Sequence, residues 1–193
     1  MKQKFKIQFQ QITLFFLPIM ALFITSSACE KGYDKQTESF GFVLKSPDIK
    51  QDSILPMEYT CDGTSATLPL IWSGFPNGTK CFALIMYTVA SPTDIHWYWV
   101  LYNIPESVHS LIKNVTGIGI LGNNSLNDKT GYSPPCSQGP GYKYYVYTLY
   151  ALSDLVTFSV PPSAVTMKVL QDAVKNITLA SVSITVKYSR TNP

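Results

Sequence analysis

Residues Cys81-Phe82-Ala83-Leu84-Ile85-Met86-Tyr87 run without a polar interruption, and residues 97–104 form a second apolar stretch broken only by Asn103. A run this short and apolar reads as a strand buried on both faces, because a strand with one wet face would alternate. Other strands follow from pattern. Phe40, Phe42 and Leu44 alternate with Gly41, Val43 and Lys45. Residues 68–72 form a short apolar strand, closed by the turn Pro76-Asn77-Gly78-Thr79. Residues 142–152 form a long strand dense in aromatics. Val182, Ile184, Val186 and Tyr188 alternate with Ser183, Thr185 and Lys187, which predicts a half-buried strand. Pro161-Pro162-Ser163 interrupts the chain, and Ala164, Met167, Leu170, Val174 and Ile177 follow at spacings of three or four. That spacing predicts one helix from about residue 163 to 176, with Ser163 as N-cap. Residues 114–141 are punctuated by glycine and proline, and a loop of this length in a compact domain carries function or covers a site. The expectation is a mostly β chain.

The N-terminus reads as a leader. Lys2, Lys4 and Lys6 precede an apolar run at residues 12–24, of signal-peptide length and short for a bilayer span. Small residues at Ser26 and Ala28 fit cleavage after Ala28. The same residues would leave Cys29 at the first mature position, as in bacterial lipoproteins, although Ser26 stands where that signal usually has leucine. Lipidation at Cys29, plain cleavage and an uncleaved anchor all stay open. Residues 1–28 are thus expected to be a signal peptide, 29–39 a flexible tether and 40–190 one domain, exported to the periplasm or outer surface.

The leader's three lysines account for the whole formal net charge of +3, so the rest of the chain is balanced. Nothing points to nucleic acid, and a membrane is reached only through a lipid on Cys29. Cys61, Cys81 and Cys136 suggest one disulfide and one free thiol in an oxidising compartment, with the pairing open. The cysteine spacings match no zinc pattern, and only His96 and His109 supply imidazoles, so no metal is expected. No cofactor is expected either. The chain has no Gly-x-Ser-x-Gly elbow, phosphate loop or His-rich motif, and Ser91, Asp94 and His96 clustered in one loop do not make triad geometry. The expectation is a protein that is not an enzyme.

Five stretches in order carry a resemblance. They are Ile54-Leu55-Pro56-Met57-Glu58-Tyr59-Thr60-Cys61-Asp62-Gly63, Leu68-Pro69-Leu70-Ile71-Trp72 running on to Gly78-Thr79-Lys80, Trp99-Val100-Leu101-Tyr102-Asn103-Ile104-Pro105, Gly131-Tyr132 with Pro135-Cys136, and Thr148-Leu149-Tyr150-Ala151-Leu152. Their order and spacing resemble the phosphatidylethanolamine-binding protein (PEBP) family, especially its bacterial, Raf-kinase-inhibitor-like branch. The resemblance implies an antiparallel β-sandwich with one or two short helices near the C-terminus. It also implies a small surface pocket for phosphate-like anions and phospholipid head groups.

The family builds that pocket from an Asp-Pro-Asp-Ala-Pro segment, a His-Trp pair, a Gly-Pro step and a His-Arg-Tyr segment. Carried over residue by residue, the two aspartates fall on Thr88 and Ala90, with Pro92 kept. The histidine falls on Tyr98, the Gly-Pro step on Pro134-Pro135, and the last segment on Lys143-Tyr144-Tyr145. A histidine often found before the last strand has become Ile177. Tyr98 offers a hydroxyl but no cation, since a phenol titrates near pH 10 (about 10 in model peptides). Thr88 cannot orient a histidine as a carboxylate does, Ala90 has no polar atom, and Pro134 removes a backbone N–H. Only Lys143 keeps a cation, on a flexible stem. Three readings follow. Tyr98, Tyr144 and Tyr145 pack together and close a vestigial pocket, or an open pocket takes a neutral ligand through phenol hydroxyls and ring faces, or Lys143 retains phosphate. The functional expectation is a binding protein altered away from phosphate toward a small neutral ligand; the alternative is an interaction module that contacts a protein partner.

Overall fold

The unbroken apolar run lies at the centre of the molecule. In the computed structural model, which describes residues 41–138 and 140–190, the strands are β1 (Val43–Lys45), β2 (Leu70–Ser73), β3 (Cys81–Ser91), β4 (Asp94–Pro105), β5 (Ser110–Leu111), β6 (Ile120–Leu121), β7 (Lys143–Leu152) and β8 (Thr178–Tyr188). Helix α1 (Met167–Val174) precedes β8, and 3-10 turns occur at Met57–Tyr59 and Pro162–Ala164. All strand pairs are antiparallel. The large sheet has the order β6-β4-β3-β7-β8, and the small one β1-β2-β5. This is the expected sandwich. Phe40 and the expected leader, Cys29 and tether lie outside the described residues.

Side chains alternate across a strand, so the two faces of β3 enter different cores. Phe82, Leu84 and Met86 pack between the sheets with Leu44, Leu70, Trp72 and Leu111 of the small sheet. Trp72 and Phe75 each meet the Phe82 ring edge-on, at centroid distances of 5.4 and 5.0 Å. Cys81, Ala83 and Ile85 face the other way, against Val165 and the α1 residues Met167, Leu170 and Val174. A strand covered twice can spare no polar position along that length, which is why the run is unbroken.

Two expectations need correction. The helix starts later than the spacing predicts, at Met167, with Thr166 as N-cap accepting from the Val169 amide at 3.2 Å. Ser163 lies instead in a 3-10 turn opened by the two prolines. Val165 then stays extended because its side chain is buried in the second core and its carbonyl accepts from the Asn123 amide at 2.9 Å. Ile177 falls outside the helix for the matching reason, its side chain packing against the second core and its carbonyl accepting from the Ser153 amide at 2.8 Å. Ser91 and Asp94 do not share an open loop either. They pair with each other at the tip of the β3–β4 hairpin.

Candidate functional site: the tyrosine-lined end of the sandwich

A β-bulge positions Tyr98. Met86 pairs with Trp99 and Tyr87 with Trp97, so Tyr98 has no partner on β3, and both Tyr98 and Trp99 face the core between the sheets. Tyr98 is only 5% exposed, and its ring meets that of Tyr145 edge-on at 5.3 Å. Tyr145 and Tyr147 project from β7 on the same face. Tyr132 reaches this cluster from the long loop, stacks edge-on against Trp99 at 5.5 Å, and donates to the Tyr59 carbonyl at 3.2 Å.

The other family positions separate by the geometry of their strands. Thr88 is buried, and its hydroxyl already donates to the Tyr144 carbonyl at 2.7 Å, extending the β3–β7 seam. Ala90 is exposed at the far end of β3. Lys143 is half-buried, shares the Tyr145 face by alternation, and stands opposite Tyr188. Among the described residues it forms no ion pair. Tyr144 is the exception to the expected cluster. It points to the opposite face of β7 and is 56% exposed, so it closes nothing over Tyr98 and Tyr145. Pro135 is buried and Pro134 half-buried in a segment fastened at both ends. The Ser133 amide donates to the Tyr98 carbonyl at 2.8 Å, and the Cys61 amide to the Pro135 carbonyl at 2.9 Å. A Cys61–Cys136 disulfide closes the same contact. Among the described residues Cys81 is the free thiol, and it is buried.

Sequence reasoning missed several residues here. Tyr188 was read only as part of an alternating strand, yet its hydroxyl donates to Asp62, and the Arg190 guanidinium binds the same carboxylate through two nitrogens. The neighbouring Cys61 could have drawn attention to Asp62, but no local pattern names a partner 128 positions away. Five polar atoms are buried with no hydrogen-bond partner among the described residues: the Tyr145, Tyr147 and Ser137 hydroxyls, the Trp99 indole nitrogen and, away from this end on β2, the Trp72 indole nitrogen. The Tyr98 and Tyr145 phenols lie close enough to perturb each other's ionisation, without a hydrogen bond of good geometry between them.

Burial dominates the electrostatics. It pushes Tyr98 up to about 12, and Tyr132, Tyr145 and Tyr147 are raised by the same cause, the latter two further by neighbouring phenols. These groups are neutral hydroxyl donors at any physiological pH. Asp62 goes the other way, its carboxyl held below the usual range by the Arg190 and Tyr188 hydrogen bonds. Among the described residues no cluster of three His, Cys, Asp or Glu side chains is placed to hold a metal. His96 pairs with Asp94 at 3.2 Å on the hairpin, where both are partly exposed.

Comparison with known proteins agrees with the fold. The profile described as phosphatidylethanolamine-binding protein matches residues 45–189. A UPF0098 protein of Aquifex aeolicus is 34% identical over 128 residues, spanning 62% of this chain and 72% of the relative. A Mycobacterium tuberculosis protein provisionally named lipoprotein LppC is 26% identical over 129 residues, 66% of this chain and 63% of the relative. The crystal structure of Chlamydia trachomatis CT736, provisionally described as a PEBP homologue, matches with a TM-score of 0.70 and 23% identity, covering 78% of this chain and 98% of that one. The same sandwich and a profile match over nearly all the described residues lead to one statement: this chain belongs to the phosphatidylethanolamine-binding protein family.

Proposed function

We propose that this chain is an exported, non-catalytic binding protein whose family pocket takes a small neutral ligand in place of phosphate or a head group. The carrying observation is the set of buried, unpartnered hydroxyls at the tyrosine-lined end, Tyr145 and Tyr147 on β7 and Ser137 on the segment that crosses Tyr98. Unpaired buried hydroxyls are costly, and a ligand with acceptor oxygens or nitrogens would satisfy them. Phenols held neutral by burial offer donors and ring faces but no charge. The leader and Cys29 support export, with lipid anchoring as the finer form, and one relative carries a lipoprotein name.

The test is a thermal-shift and calorimetric titration of the purified protein with phosphate, phosphoethanolamine and a panel of neutral aromatic compounds. A ligand that binds only the native state raises stability. Stabilisation by a neutral compound, weakened in Tyr145→Phe, is expected. Stabilisation by phosphoethanolamine would overturn the reading. A second reading, a protein-interaction module with a vestigial pocket, is favoured by the exposed Val89, Ile95 and Tyr144 on the other face of the large sheet. Silence toward every compound, with a protein complex lost in Val89→Asp, would select it.

A further inference from the structure

Arg190 is the only arginine in the chain, and it follows β8 by two residues. Its guanidinium is committed to Asp62. The Nε lies 2.8 Å from both carboxylate oxygens, and Nη2 donates to Oδ1 as well. The Tyr188 hydroxyl donates to Oδ2. The two charged side chains are only 25% and 22% exposed, so the pair is mostly withdrawn from water.

Its place in the fold gives it a role. Asp62 follows Cys61, whose disulfide and amide fasten the Pro135–Cys136 segment. Tyr188 stands across from Lys143 and close enough to Tyr145 to affect its ionisation. The ion pair therefore borders the tyrosine-lined site. A planar guanidinium with a phenol beside it is the donor set that binds an oxyanion, and here an internal carboxylate occupies it.

We propose that Asp62 sets the charge preference of the site, by occupying the Arg190 and Tyr188 donors that a phosphate-like oxyanion would otherwise take. An incoming anion must displace a tethered competitor and also approach its negative charge, whereas a neutral ligand meets neither obstacle. Lys143 alone does not offset this. Asp62 is a specificity-determining residue in this scheme, and the site holds a latent oxyanion subsite built from Arg190 and Tyr188. The inference rests on the neutral-ligand reading and names what excludes anions.

The experiment compares the whole protein with Asp62→Asn and with Asp62→Asn/Arg190→Gln, using inorganic phosphate and phosphoethanolamine in calorimetry and thermal shift. Asp62→Asn is expected to bind phosphate at least about tenfold more tightly than the parent, the scale of one charge-assisted hydrogen bond. The gain is expected to vanish in the double variant. Circular dichroism establishes that each variant is folded, and Asp62→Ser takes its place if Asp62→Asn is not. A folded variant no tighter than the parent overturns the proposal, as does a gain that persists without Arg190. A parent protein that ignores every neutral compound would sink the ligand reading alone, because the phosphate comparison among variants is read independently.

Discussion

Tyr144 and Tyr145 are adjacent in sequence and opposite in fate, one exposed and one buried, because consecutive strand residues face opposite sides of a sheet. The carry-over put both near the pocket, and only the strand's facing separates them. Tyr98 is the converse case. Simple alternation would set Tyr98 and Trp99 on opposite faces, and the bulge brings them together. Asp62 yields a prediction at this scale. Its carboxyl titrates below the ordinary value of 3.8 in the folded chain, so the stabilisation it supplies is complete above that value. It is lost as the pH falls through the lower folded-state value. Acid unfolding monitored by fluorescence is expected to show this loss in the parent and to show a smaller one in Arg190→Gln.

Among the elements, legibility tracked how local the cause was. The unbroken run of β3 and the alternation of β8 were readable because burial on two faces or one writes itself directly into the residue pattern. The start of α1 was not, because it depends on Val165 being held in the second core and by Asn123, a contact from 42 residues upstream in sequence. The two candidate caps separate experimentally. Thr166→Ala is expected to cost about 1 kcal/mol of stability through the lost bond to the Val169 amide. Ser163→Ala is expected to change stability by less than about 0.5 kcal/mol, since Ser163 caps nothing. Equal effects in urea unfolding would contradict this placement of the helix start.

At the scale of the whole molecule, the Cys61–Cys136 bond joins positions 75 residues apart and ties the start of the domain to its long loop. Cysteine arithmetic gave one bridge and one thiol but left three pairings, because the choice depends on where β3 begins. Cys81 opens that strand facing the second core, where burial pushes its thiol up to about 11 and its Sγ lies 3.2 Å from the Asp154 carbonyl. Closing a loop of this length stabilises a fold by roughly 4 kcal/mol in the chain-entropy account. Reduction is therefore expected to lower the denaturation midpoint substantially, while Cys81 stays unreactive toward a thiol reagent until the protein unfolds.

The doubly covered β3 has a consequence for motion. Its amides and carbonyls are bonded to β4 along one edge and β7 along the other, and its side chains anchor both cores. Either layer can loosen without exposing it. Its central amides should exchange with deuterated solvent only when both layers come apart together, so the slowest protons in the molecule report the free energy of unfolding the whole.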